Sequence, residues 1–301
     1  MIILEKLFKK YHQRADSAII KCIKLLPFAK SLLVAAMFHN ALPGGKRLRP
    51  YLVYATGEMF GLSLDVLDVP ATAIECMHAY SLIHDDLPAI DDDNIRRGRP
   101  TTHIKFGEAH AILAGNAFQS LAFSILADSP MPAVSDSARI AMLSELAKAS
   151  GVAGMCSGQA LDLENEGKNI NLLVLEKIHK HKTGALIRCA ILMSVLASGK
   201  YAHTAIPFLE KYALAIGLAF QVRDDILDVI GNSRQTGKTQ GSDQKREKNT
   251  YPALLGLKKA QNKAKDLYND AIHALEELEQ HCSINTIALK YLASFIIKRN
   301  N

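Results

Sequence analysis

Ten prolines, at positions 27, 43, 50, 70, 88, 100, 130, 132, 207 and 252, leave long stretches of chain free of the residue that most effectively breaks a helix interior. Those gaps carry the three-and-four spacing of amphipathic helices. From Phe106 to Ala127, apolar residues recur at Ala109, Ile112, Leu113, Ala117, Leu121, Ile125 and Leu126. From Leu209 to Asp228 the spacing returns through Ala213, Ile216 and Phe220, and Asp224 continues the same row. No run of alternating β-branched residues bounded by hairpin turns interrupts them. The chain therefore reads as all-α, a bundle of long helices. None of its loops, at 42–50, 87–100, 128–132 and 231–249, has the character of an interdomain linker, so residues 1–301 are expected to form a single domain.

Hydrophobic residues make up 49% of the 301 and charged residues 22%, the balance of a globular chain with a sizeable core. The longest nearly apolar runs, 212–220 and 189–197, are about half of the ~20 residues needed to cross a bilayer, so a membrane span is not expected. The first sixteen residues place acid and base every few positions, unlike a secretory signal. Five cysteines, an odd number with no C-x-x-C pair, argue for a reducing compartment and against structural zinc. Lys plus Arg exceed Asp plus Glu by 36 to 30, a mild bias toward an anionic partner. Nucleic acid is a poor candidate, because the basic loops alternate with acid that would repel a phosphate backbone.

That acid is concentrated in two places. Asp85, Asp86, Asp91, Asp92 and Asp93 begin at the end of an apolar helical stretch and run through Pro88, which must end or distort the helix. A helix C-terminus is the electrostatically poor end for carboxylates, so a cation is expected nearby. In the second cluster Asp224 and Asp228 lie four apart on one helical face, with Asp225 about 100° around the axis. One such run would be an ordinary solvated loop. Two, each on an otherwise apolar helix, need pairing or metal wherever they are buried. Oxygen-only ligands suit Mg²⁺, which keeps waters and joins a few carboxylates to substrate phosphates.

Basic residues accompany the acid: Lys46, Arg47 and Arg49 after Gly44-Gly45, then Arg96, Arg97 and Arg99, then Lys182, then Lys238, Lys245, Arg246 and Lys248. Bare carboxylates repel a diphosphate. Divalent ions would bridge the two while Arg and Lys neutralise the remaining oxygens, so the interleaving points to a metal–diphosphate site with the two clusters facing each other. Gly151, Gly154 and Gly158, three and four apart, would let helix backbones approach closely.

At this level of detail the chain resembles the trans-isoprenyl diphosphate synthases, and within them the bacterial C15-forming branch. The resemblance rests on six ordered blocks: GGKRLRP (44–50), HAYSLIHDDLPAIDDDNIRRGRPTTH (78–103), GMCSGQALDL (154–163), KTGALI (182–187), FQVRDDILDV (220–229), and GKTQGSD with KNTYPALLG (237–256). It spans residues 40–256. It implies helices packed around a central cavity, and a prenyl transfer from dimethylallyl or geranyl diphosphate to isopentenyl diphosphate. Asp85, Asp91 and Asp224 would hold Mg²⁺, about three ions with the allylic diphosphate bound. Arg96, Lys182, Thr183, Gln221, Lys238 and Lys248 match positions that bind or polarise that diphosphate, and Lys46, Arg49, His78 and Arg97 match the isopentenyl diphosphate site. A bulky residue five before the first Asp forms the floor of the hydrocarbon tunnel in this family. Here it is Tyr80, next to small Ser81 and roughly 7.5 Å below Asp85, which favours a C15 product over C10 or C20. The resemblance also implies a cytoplasmic homodimer. A terpene cyclase would lack the need for GGKRLRP and Arg97, and a silent partner subunit would have lost one acid cluster. Asn94 and Asn249 depart from the family pattern at positions expected to matter little.

Overall fold

The computed structural model describes residues 2–42, 45–230 and 248–299. Its chain divides into two compact units, Met1–Leu143 and Ser144–Asn301, each described by itself. Among the described residues the architecture is all-α apart from one hairpin with two residues in each strand.

The first unit contains α1 (Ile2–Lys24), α2 (Leu32–Ala41), α3 (Leu48–Met59), α4 (Leu64–Asp85), α5 (Thr102–Phe106) and α6 (Glu108–Asp128). Helix α4 is apolar nearly all round and buries Val66, Leu67, Ala73, Ile74 and Met77, so it becomes the core against which α1, α3 and α6 pack. Helix α1 is amphipathic instead: Tyr11, Ala15, Ile19 and Ile23, four apart, are its buried stripe. Helix α6 approaches α4 through Gly115, where a Cβ would lie 2.2 Å from His84 Nε2. The helix expected to begin near Phe106 starts at Glu108, because Gly107 takes φ +83° and separates α5 from α6.

Helix α4 stops at Asp85, three residues before Pro88. The following segment folds back on the helix end: Asp91 N donates to Asp85 O at 2.8 Å and Asp92 N to Leu87 O at 3.1 Å. It then forms an antiparallel pair, β1 (Ile95–Arg96) and β2 (Arg99–Pro100), closed by Arg97 and Gly98 at φ +52° and +72°. Positive φ at both central residues suits the twist of a two-residue hairpin.

In the second unit α7 (Asp136–Ser150), which begins in the first, is followed by α8 (Met155–Glu164) and α9 (Leu172–His179), a π-turn (Lys180–Gly184) and α10 (Ala185–Ala197). A short 3₁₀ segment leads to α11 (Ile206–Ile230), α12 (Tyr251–Leu255), α13 (Leu257–Cys282) and α14 (Ile287–Lys298). Helix α13 lays a stripe of Ala260, Ala264, Leu267, Ala271, Leu275 and Leu278 on α11, its main partner. Truncating one of these leucines to alanine would cost about 2–5 kcal/mol. Two segments, Glu108–Asp128 and Lys200–Ile230, are long and apolar enough to cross a membrane by length and composition. With 39% and 56% of those windows buried inside the fold, they are what core helices also look like. The five cysteines are free thiols.

Candidate functional site

At the end of α4 the predicted cation is Arg96. Its Nε donates to Asp86 Oδ1 at 2.6 Å, and Nη2 lies 3.7 Å from Asp93 Oδ2. Asp86 is only 1% exposed, and burial raises its pKa even though Arg96 pulls the other way. Arg96 is thus committed within the acidic loop. Asp85 and Asp91 are half-buried, brought together by the backbone bond between them, while Asp92 points outward at φ +49°. Among the described residues no three His, Cys, Asp or Glu side chains converge on one point. A pair of carboxylates still fits Mg²⁺, which fills its shell with water and phosphate oxygens, and the donor set contains no nitrogen or sulfur favouring another metal.

Beside this loop the first unit gathers cations. Arg47, in the left-handed region at φ +48°, sends its guanidinium inward to Asp16 (2.7 Å), Glu75 (2.5 Å) and Ala41 O (2.7 Å). Removing one partner from such a buried network costs about 3–5 kcal/mol, so Arg47 anchors the segment rather than binding a ligand. Its neighbour Lys46 is half-buried, and the guanidinium of Arg97 lies against Gly45, where a Cβ would sit 2.5 Å from Nη2. His78 Nδ1 and Arg49 Nε are buried without hydrogen-bond partners. Burial, followed by the charges of Arg49, Arg97, Arg47 and Arg96, drives the His78 pKa well below the imidazole range. Burial likewise lowers the pKa of Arg49. So much positive charge with unsatisfied N–H groups is a cradle for an anion.

Tyr80 and Ser81 are half-buried on α4. The Tyr80 ring meets His84 edge-on, with centroids 4.8 Å apart, and Ser81 Oγ donates to His78 O at 3.0 Å.

In the second unit the π-turn carries two predicted residues. Lys182 Nζ donates to Asp162 Oδ2 at 2.7 Å, and Thr183 Oγ1 donates to Gln221 Oε1 of α11 at 3.1 Å. Single π-turns inside helices recur at functional sites. Gly158 of α8 makes this one possible, because a Cβ there would lie 2.1 Å from Lys182 N. Gly151 and Gly154, expected to serve helix approach, crowd only local backbone of the α7–α8 turn, at Ala147 O and Ala149 O.

The second acidic cluster divides its roles. Asp224 pairs with Arg299 Nη2 at 2.7 Å; that guanidinium also donates to Phe220 O at 2.9 Å and lies 4.0 Å from the Phe220 ring. Asp225 is buried and accepts from Tyr251 N at 2.9 Å, a structural duty, while Asp228 is half-buried. Lys238 lies outside the described residues. Lys248 is half-buried, and its neighbour Asn249 donates to Lys168 O at 2.8 Å and Asn165 O at 3.3 Å, so that departure from the family pattern is an anchor. Asp162 and Tyr251 stood in the quoted blocks without a role. Arg299 had no sequence signal, lying 75 residues from its partner.

The profile of the polyprenyl synthetase family matches residues 30–286. Over 288 residues the chain is 60% identical to farnesyl diphosphate synthase of Escherichia coli, covering 96% of each. Its fold is similar to a geranyltransferase from Legionella pneumophila, with TM-score 0.86 and 32% identity over 99% of this chain and 98% of that one. It is similar too to a Helicobacter pylori geranyltransferase complexed with magnesium and isoprenyl diphosphate, with TM-score 0.85 and 32% identity over 98% and 97%. Acid-rich helix ends, a cationic cradle and an all-α frame define a prenyl diphosphate-handling protein. The chain belongs to the polyprenyl synthetase family.

Proposed function

We propose that the protein is a prenyltransferase that condenses isopentenyl diphosphate with dimethylallyl or geranyl diphosphate to give farnesyl diphosphate, its two units working as one catalytic domain. The observation that carries this reading is the cation cradle of Arg49, His78 and Arg97 beside the acidic loop of Asp85 and Asp91, together with the 60% identity to a farnesyl diphosphate synthase. Asp85, Asp91 and Asp224 would hold Mg²⁺, in keeping with the magnesium complex of the Helicobacter relative. When bound, the metal supplies charge that stabilises the leaving diphosphate.

The chain's own residues do the rest. Arg96, Lys182, Thr183, Gln221, Lys248 and, outside the described residues, Lys238 bind the allylic diphosphate. Lys46, Arg49, His78 and Arg97 hold isopentenyl diphosphate. His78, kept neutral by burial and by the surrounding arginines, is a hydrogen-bonding group there and not a cation. The allylic C–O bond breaks and diphosphate leaves with the electron pair. The isopentenyl double bond attacks the carbocation, and loss of a proton to the released diphosphate restores an alkene. An apolar pocket ending at Tyr80 keeps water from the cation. Exposed Ile112 and Leu113 on α6 support a homodimer, and the free thiols a cytoplasmic setting.

Asp85→Ala and Asp224→Ala test the reading. Each is expected to lower turnover by roughly three orders of magnitude or more with far-UV circular dichroism unchanged, since each removes stabilisation of a developing charge. Parental turnover in either variant would remove the metal assignment.

A further inference from the structure

Next to Thr183 and Gln221 the second unit holds two buried side chains that the reaction leaves without a role. His179, the last residue of α9, is 9% exposed, and Tyr251, the first of α12, is 0% exposed. Their rings stack with centroids 5.7 Å apart and planes 18° from parallel. His179 Nε2 and the Tyr251 hydroxyl are both buried without hydrogen-bond partners, an expensive arrangement for packing alone. The other imidazole nitrogen has a neighbour: Nδ1 lies 3.4 Å from Gln221 Nε2. Gln221 in turn accepts the Thr183 hydroxyl through Oε1 at 3.1 Å.

An amide side chain is ambiguous until its neighbours decide which end is oxygen. With Nδ1 unprotonated, the NH₂ of Gln221 must face His179 and its oxygen must face Thr183. The reverse orientation would set oxygen against a lone pair. One amide hydrogen is then used, and the second stays available to a phosphate oxygen.

We propose that His179 is a positioning residue for allylic diphosphate binding, its Nδ1 fixing the orientation of the Gln221 amide and the Tyr251 ring holding the imidazole by stacking. The inference rests on placing Thr183 and Gln221 at that diphosphate. The charge environment agrees with a neutral imidazole, and the proton is placed on Nε2 by the amide facing Nδ1 with its nitrogen. Burial brings the His179 pKa down to about 4; Lys182 pushes the same way, and Asp162 and Glu176 oppose. Burial also keeps the Tyr251 hydroxyl protonated.

The test measures KM for both diphosphates, with Mg²⁺, in full-length His179→Leu, His179→Gln, His179→Asn, Gln221→Leu and the His179→Leu/Gln221→Leu double variant. Asn places its Oδ1 where Nδ1 was; Leu has no acceptor, and Gln reaches toward the Nε2 position. His179→Leu and His179→Gln should raise the allylic KM about tenfold, the worth of one hydrogen bond, with the isopentenyl KM unchanged. His179→Asn should stay within about threefold of the parent, and His179→Leu should add nothing in the Gln221→Leu background. If His179→Leu does not fold, His179→Gln carries the comparison. A parental allylic KM in both His179→Leu and His179→Gln overturns the proposal, as do equal losses in Asn and Gln, or additive losses in the double variant. If Gln221→Leu itself binds the allylic substrate normally, Gln221 lies outside the site and the proposal falls for that distinct reason.

Discussion

Tyr80 shows how much a single position can decide. It lies one helical turn before His84 and five residues before Asp85, its ring meets His84 edge-on at 4.8 Å, and in the proposed reaction it is the floor met by the growing hydrocarbon tail. Tyr80→Ala should therefore extend the product beyond C15, as seen by chromatography of the dephosphorylated alcohols. An unchanged C15 product would place the floor elsewhere. The family resemblance singled out Tyr80, Asp85, Asp91 and Lys182, and the structure joins Asp85 to Asp91 through the backbone and Lys182 to Asp162. Arg47 was legible only as one more basic residue. Its burial depends on Asp16 and Glu75, 31 and 28 residues away, which no local pattern reveals. Arg299 was hidden for the same reason, since its partners Phe220 and Asp224 lie in another helix.

At the scale of elements, periodicity located the helices better than their buried faces: in α6 the expected row through Ala109, Ile112 and Leu113 is exposed, and the helix instead turns Ala111, Ala114, Gly115, Phe118 and Ala122 inward, joining that row only at Ile125 and Leu126. Helices α6 and α11 appear where three-and-four spacing placed them, shifted by a few residues because Gly107 and the 3₁₀ segment set the true starts. Short elements escaped. The β1–β2 hairpin has only two residues per strand, too few for alternation, and the π-turn at Lys180–Gly184 inserts a residue that no spacing rule anticipates. That turn exists because Gly158 lets backbone pass within van der Waals reach. Gly158→Ala should drive α8 and the π-turn apart, destabilise the protein by about 1–3 kcal/mol and weaken allylic diphosphate binding through Lys182 and Thr183. Urea midpoints and the allylic KM would record both effects, and an alanine variant equal to the parent in each would contradict the packing described.

For the whole molecule, stability should carry the imprint of buried imidazole. His179 titrates near 4 in the folded chain against 6.5 when exposed, so between those values the unfolded chain binds the extra proton. The contribution is intact above about pH 6.5 and is lost as pH falls toward 4, amounting to up to about 3 kcal/mol. Urea unfolding of the parent and of His179→Asn across that window would show it as a difference in slope. Identical pH dependence in the two proteins would mean that the imidazole is not buried neutral. The central claim, a prenyl transfer that stops at fifteen carbons, is tested most directly by incubating the protein with isopentenyl and geranyl diphosphates, with Mg²⁺ or with a chelator, and sizing the products chromatographically. A C15 alcohol after dephosphorylation, formed only when Mg²⁺ is present, is the predicted result; product formed in the chelator, chains ending mainly at C20, or no elongation at all would contradict it.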